Sequence, residues 1–467
     1  MRKIYVIGAL ALLFSACKPS VSIITAPTAG PTVKFTNYLA IGDNYTGGYI
    51  DGSLTVTGQL NSFPQRLFEQ FSQVPEPAGA KGPFIHPLLH SDYGYPTAKL
   101  VLGYTHSTCI WYDSSLAPIS YPYFTADPID DQKFVSNKNN GQINNIGVLG
   151  LRVVDYPVTN WALAADGQGI PYARRFFYDP AATPQDELQH RVDNLYPTFF
   201  TMWLGMNDVL LYAMNGGQGD GTGNALPMVP GLGIYNPNDI SPIGVFDSAY
   251  DKALNTAIFN GASGALINIP DISLLPYFNA IPSDGLILDR QGQADTLLAY
   301  YAGQAWKKVF QPGKNQFIIK DHNDNVRQSV PGELISLKCP IDSIKCAGWG
   351  STKPIPNIYV LTTDEIQYIR AAVDRYNYFI STEAQLHHLA YVDMNAYFKT
   401  LPTGAPFNGI SYTNAFVSGG FFSLDGIHPT PRGQALIANK IIETVNRFYK
   451  STLNPVDANK YHGVEYP

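Results

Sequence analysis

The chain has 467 residues, of which 45% are hydrophobic and 15% charged, a globular composition that excludes a disordered protein. Its formal net charge of −6 argues against a non-specific nucleic-acid binder, and we expect no nucleic-acid partner. The length fits one large domain or two to three small ones.

The first residues are typical of a targeting segment. Two basic residues precede an apolar run over 4–14, which is too short to span a bilayer, and Ser15-Ala16-Cys17 follows. This pattern resembles a bacterial lipoprotein signal, which implies a signal peptide over 1–17 and lipidation of Cys17. We then expect 18–35 to tether the protein to the cell envelope, at the outer membrane. The alternative is an ordinary cleaved signal in which Cys17 carries no lipid.

From 36 to 450, short apolar runs alternate with amphipathic segments. The runs predict strands at 38–41, 145–148, 199–204, 265–269 and 389–394. The segments predict helices at 63–71, 185–194, 245–260 and 431–448, and another that begins at the capping box of Thr362 and Glu365. Such alternation predicts an α/β fold, a doubly wound and mostly parallel sheet in a flavodoxin-like three-layer sandwich.

Two long segments without a sustained period interrupt this pattern, at about 72–140 and 283–358. We interpret them as loop insertions, because unstructured loops of that length are uncommon in compact domains. Residues 451–467 are interpreted as a C-terminal tail.

Three cysteines follow Cys17. Cys339 and Cys346 are close in sequence, and an exported protein enters an oxidising compartment, so we expect a disulfide between them. Cys109 is then expected to be unpaired and buried.

No metal or cofactor is expected. Pro87 between His86 and His90 argues against the helix that would make these two a metal-binding pair. The pair His387-His388 falls at a predicted helix end, where positive charge suits the helix dipole.

Four short motifs follow predicted strands, in the order Ile41–Tyr49, Asn145–Gly150, Trp203–Asp208 and Asp425–Pro429. Ligands of open α/β sheets bind at the carboxyl ends of the strands. We therefore expect Asn44, Gly150, Asn207 and His428 to converge in one cleft.

Together the motifs resemble the SGNH (GDSL) hydrolases, in particular long lipoprotein members from Bacteroidetes-type bacteria. The resemblance implies an esterase acting on an acylated glycan, a lipid or another small ester. It implies that His428 is the general base, that Asp425 orients it, and that Gly150 and Asn207 supply the oxyanion hole. The chain departs from the family at the nucleophile, since Asn44 stands where the family has serine.

Asparagine has no ionisable hydroxyl and cannot form an acyl-enzyme. One interpretation is a non-catalytic lipoprotein that binds acylated glycans in the same cleft. A second is that Tyr45 or Thr46 replaces the serine, or that His428 activates water directly. A third is that the asparagine is a sequencing error in an active enzyme.

Overall fold

A computed structural model describes residues 26–109, 114–121, 142–163, 171–228 and 233–466. The predicted signal peptide with Cys17, the start of the predicted tether and parts of the first insertion lie outside these ranges. Within them, none of the helices combines the length and the apolar character needed to cross a membrane.

Strands and helices alternate along much of the chain. In chain order, the strands are β1 Tyr38–Gly42, β2 Leu100–His106, β3 Ser114–Ser120, β4 Asn145–Gly147, β5 Phe199–Trp203, β6 Ser263–Ile267, β7 Leu286–Leu288, β8 Gly313–Asn315, β9 Ile318–Lys320, β10 Val326–Gln328, β11 Leu334–Ile335, β12 Val360–Leu361, β13 Ala390–Val392, β14 Ala405–Phe407 and β15 Ile410–Tyr412. The α-helices are α1 Asn44–Gly47, α2 Val56–Leu60, α3 Phe63–Phe71, α4 Pro184–Leu195, α5 Asn207–Met214, α6 Ile243–Ile258, α7 Pro276–Asn279, α8 Gln291–Tyr300, α9 Ile341–Cys346, α10 Thr363–Leu386, α11 Met394–Phe398 and α12 Pro431–Tyr449.

A five-stranded sheet forms the centre of the fold, in the order β13-β6-β5-β1-β4 with every pair parallel. Counted along the chain, this order is 2-1-3-4-5, and the predicted parallel α/β sheet is confirmed. The direction of the chain across the sheet reverses beside β1, so the sheet has a switch point between β1 and β5. At such a point two loops diverge and leave a crevice.

The helices that pack on this sheet fall into two groups. Helices α3 and α12 contact each other, and α4, α6 and α10 form a second packed set. Because parallel crossovers are right-handed, helices connecting strands in opposite directions across the sheet lie on opposite faces. The core strands are buried throughout, apart from partial exposure at Ser263 and Tyr391.

Both insertions contain secondary structure of their own. The described part of the first includes the antiparallel hairpin β2–β3. The second holds short strands and two helices around a separate cluster of buried apolar side chains, among them Leu286, Phe317 and Ile319.

The predicted disulfide is wrong. The structure joins Cys109 to Cys346, which are 237 residues apart, and leaves Cys339 as a buried free thiol. Proximity in sequence failed as a guide because the hairpin places Cys109 directly against α9. The same contact is supported by Asp342, whose carboxylate accepts hydrogen bonds from Ser107 and Thr108.

The folded region is longer than predicted at both ends. Ala29, Val33 and Phe35, assigned to the tether, are buried, and the Phe35 ring stacks on Phe71 with centroids 4.2 Å apart. In the predicted tail, Leu453 and Val456 are buried as well. Isolated apolar residues in irregular backbone carry no periodicity, so sequence patterning did not reveal them.

Candidate active site

The loop after β1 presents Asn44 at the carboxyl edge of the sheet. The strand ends at Gly42, and the short helix α1 begins at Asn44 and packs against β4. The approach is close, since a Cβ on Gly47 would lie 2.5 Å from the carbonyl oxygen of Gly147. The glycines of the first two motifs therefore allow α1 to sit directly on the neighbouring strand.

Asp425 and His428 form an oriented pair in the loop before α12. The Nδ1 atom of His428 lies 2.8 Å from Oδ2 of Asp425, and the carboxylate also accepts the backbone N–H groups of Gly52, Ile427 and His428. Burial raises the pKa of Asp425, but its electrostatic interaction with His428 and these hydrogen bonds outweigh that effect, and the net pKa lies below the ordinary 3.8. Asp425 is therefore an ionised acceptor, and the hydrogen-bond pattern assigns the proton to Nδ1 of His428.

The side-chain amide of Asn44 is held on both sides by the predicted site residues. Its Oδ1 accepts the backbone N–H of Gly150 at 2.8 Å and the side-chain Nδ2 of Asn207 at 3.2 Å. Its Nδ2 lies 3.0 Å from Nε2 of His428. Since the Gly150 N–H can only donate, the orientation of the Asn44 amide is fixed, and Nδ2 donates to the free lone pair of Nε2.

The structure thus brings together all the residues that were expected to converge. Gly150 reaches the site because it has a φ of +73°, a conformation that favours glycine. The second amide hydrogen of Asn207 is used by the carbonyl oxygen of Leu151 at 3.1 Å. Asn44 itself occupies the space between His428 and the two donors, so the pair of donors already holds a carbonyl oxygen.

Tyr45 and Thr46, the possible substitute nucleophiles, point elsewhere. The Tyr45 hydroxyl donates to the carbonyl oxygen of Ile427 at 2.5 Å, and burial, with Asp425 and Asp43 nearby, raises its pKa well above 10. The Thr46 hydroxyl is fully buried and has no hydrogen-bond partner among the described residues. Neither hydroxyl is therefore hydrogen-bonded to His428, the base that would have to activate it.

Two further carboxyl groups lie under the site. Burial raises the pKa of Asp43 to about 8, and the charge of Asp208 adds to this effect. Burial also raises the pKa of Asp208 to about 7 although it accepts the backbone N–H of Val153 at 2.8 Å. Both residues belong to the four motifs, but no local pattern indicated that their side chains are buried.

Aromatic rings enclose the histidine. The rings of Tyr49 and Tyr45 lie edge-on to the His428 imidazole, with centroids 4.6 and 5.7 Å away. They leave His428 only 4% exposed. The sequence prediction did not assign them this role, although both stand in the first motif.

A cleft of about 810 Å³ opens beside Asp425. Leu116 of the hairpin lines one wall, Leu337 and Ile341 of the second insertion line another, and Phe416 and Asp425 complete it. The two insertions therefore meet next to the Asp425–His428 pair and are joined there by the disulfide.

One group of side chains away from this site could hold a metal ion. Asp251 on α6 and Glu383 and His387 at the end of α10 have potential ligand atoms within 4.8 Å of one another. From sequence alone, His387 was interpreted as a charge that suits the dipole at a helix end, and Asp251, which comes from another helix, was not considered. The site described above does not involve this group.

No protein-family model matches the chain, and no curated protein is significantly similar to it.

Proposed function

We propose that the chain is an SGNH-type ester hydrolase in architecture, a three-layer sandwich with base, orienting acid and oxyanion donors in place, and that Asn44 keeps it inactive. The observation that carries the proposal is the pair of contacts made by the Asn44 amide. Its nitrogen occupies the hydrogen-bonding position at Nε2 of His428, and its oxygen occupies the donors of Gly150 and Asn207. A serine hydrolase uses these same positions for the nucleophile and the oxyanion.

The alternative nucleophiles have less support. Both neighbouring hydroxyls are buried, and that of Tyr45 already has an acceptor in the main chain. Direct activation of water by His428 requires that Asn44 first leave Nε2.

The first prediction is that Asn44→Ser creates or strongly raises hydrolysis of a nitrophenyl ester, whereas wild type shows little or none. Serine is smaller than asparagine, so its hydroxyl fits beside Nε2 while the oxyanion donors become free. Loss of a serine nucleophile costs about 10⁶-fold in rate in an established serine hydrolase, and we expect partial recovery of that factor.

Asn44→Ala is the matched control, since it empties the oxyanion hole without supplying a nucleophile. Brisk wild-type turnover that Asn44→Ser leaves unchanged would overturn the proposal. An Asn44→Ala rate equal to that of the serine variant would instead indicate activated water.

The second candidate function is binding of an acylated glycan without turnover. It is favoured by the cleft between the insertions, which has apolar walls and room for an acyl group while Asn44 remains in place. We also propose that lipidation of Cys17 anchors the protein at the cell envelope, where such a ligand would be met.

A further inference from the structure

The contacts of Asn44 match those of a bound amide substrate. A carbonyl oxygen lies between two donors, and the amide nitrogen lies against an imidazole oriented by a carboxylate. We propose that Asn44 is a self-processing site, at which the protein hydrolyses its own side-chain amide to give aspartate and ammonia. The inference rests on the acid–base competence of the His428–Asp425 pair assumed in the proposed function.

The step balances with water as the co-reactant. Once Nε2 of His428 has released the Nδ2–H of Asn44, water attacks Cγ and loses a proton to Nε2, while the negative charge that develops on Oδ1 is held by Gly150 and Asn207. The imidazolium, stabilised by ionised Asp425, then donates that proton to Nδ2. The C–N bond breaks, ammonia leaves as ammonium after taking the acid proton, and residue 44 becomes an aspartate carboxylate.

The protein contains both contributions that lower this barrier. One oxyanion donor is worth about 10²–10³ in rate, and positioned general acid–base catalysis about 10²–10⁴. Asn44 is 8% exposed, so its side chain is largely enclosed and partly reachable by water.

The structure disfavours the usual route of asparagine deamidation at Asn44. That route needs the next backbone nitrogen to attack Cγ, which is easiest before glycine in flexible backbone. Asn44 instead opens α1 before Tyr45, and three hydrogen bonds fix its side chain. Conversion at residue 44 would therefore report on direct hydrolysis.

The experiment incubates the purified wild-type protein in ¹⁸O-labelled water at neutral pH over days and maps its peptides by mass spectrometry. We expect residue 44 to become normal aspartate that carries one ¹⁸O, with no isoaspartate. Asn260-Gly261 and Asn408-Gly409 serve as internal standards for the usual route, which yields both isomers. Protein that already carries aspartate at 44 on isolation also supports the proposal if a freshly synthesised sample acquires it.

Variants assign the chemistry. His428→Gln should slow conversion by about 10²-fold or more, because it removes the acid–base group. Asn207→Leu should slow it by about 10²-fold through loss of an oxyanion donor. His387→Gln, a histidine change outside the site, should leave the rate unchanged.

Two results overturn this inference: an Asn44 that stays intact while the Asn-Gly standards convert, or equal conversion in wild type and His428→Gln. The Asn44→Ser esterase assay, run in parallel, separates the two proposals. An active serine variant with an intact wild-type Asn44 removes only the self-processing step. Conversion of Asn44 together with an inactive serine variant removes only the esterase architecture.

Discussion

At the scale of single residues, Asp43 is a buried acid next to Asn44 whose pKa is raised. One carboxylate oxygen of Asp43 is buried without a hydrogen-bond partner among the described residues, and the pKa of this group is raised to about 8. Burial of the charge is costly, and backbone hydrogen bonds from Tyr45 and from Asp43 itself offset only part of that cost, so Asp43 keeps its proton in the folded state below about pH 8.

This shift predicts a pH dependence of stability. Between about pH 4 and pH 8 the unfolded chain has released the Asp43 proton while the folded chain still binds it, so stability falls as pH rises through this window. Asp43→Asn imitates the protonated acid and should reduce the loss of unfolding free energy between pH 5 and pH 8 by a few kcal/mol. Thermal melts of wild type and Asp43→Asn at pH 5 and pH 8 measure this change in stability.

The exposed Asp193 provides the control, because Asp193→Asn should leave that pH dependence as it is in wild type. If Asp43→Asn melts with the same difference between pH 5 and pH 8 as wild type, then Asp43 is ionised in the folded protein and its burial has been compensated. Asp208 retains its own contribution in the variant, so some pH dependence persists.

The sequence was informative about which residues meet and uninformative about how they are arranged. Asn44, Gly150 and Asn207 follow the ends of β1, β4 and β5, and parallel strands bring such positions to one edge. His428 was expected to follow a strand end as well, but it lies directly before α12. The direction in which the Asn44 amide points depends on the φ of Gly150 and on atoms 384 residues away, such as Nε2 of His428. No local pattern encodes that.

At the scale of elements, the predicted helices agree with the structure where the local sequence pattern is strong. Helix α3 spans Phe63–Phe71 as predicted, and α10 begins after Thr362, whose backbone N–H donates to Glu365 as in the predicted capping box. The insertions lack a period, and their contacts are set by tertiary placement. The Cys109–Cys346 pairing is the clearest example, since the choice of partner depends on where the hairpin docks.

This docking leads to a prediction for the hairpin β2–β3. Cys346→Ser should increase proteolytic cleavage in 100–120 at least several-fold, because the disulfide holds this hairpin against α9 and long-range disulfides contribute about 2–4 kcal/mol. The central sheet should keep its melting transition, since the bond lies outside it. Limited proteolysis with mapping of the cut sites measures the effect.

Cys339→Ala is the matched variant, because Cys339 lies in the same insertion and forms no disulfide. It should leave cleavage in the hairpin at the wild-type level. Equal protection of wild type and Cys346→Ser would mean that the hydrogen bonds of Asp342 to Ser107 and Thr108 suffice to hold the hairpin.

At the scale of the whole molecule, the two insertions are additions to a parallel α/β fold, and they meet beside Asp425, where the cleft opens. The sheet positions Asn44, Gly150 and Asn207 at its carboxyl edge, whereas two walls of the cleft beside Asp425 come from the insertions, which the alternating pattern did not cover. Ligand choice in this protein is therefore expected to depend on the insertions, and catalytic capacity on the sheet.

The last prediction tests whether the insertions determine ligand choice, by changing a residue that lines the cleft. Ile341 is 51% exposed and lines the cleft, so Ile341→Asp should weaken binding of an acylated oligosaccharide about tenfold or more by placing a charge against an apolar acyl group. Ile410, which is 47% exposed on β15 and does not line the cleft, provides the matched control Ile410→Asp. Calorimetry with the acylated and the deacylated oligosaccharide separates acyl recognition from sugar recognition.

Equal affinity of wild type, Ile341→Asp and Ile410→Asp for the acylated form would show that the ligand binds elsewhere and that the cleft is not the binding site. Loss of affinity in Ile341→Asp for the acylated form alone would assign the acyl group to the space between the insertions.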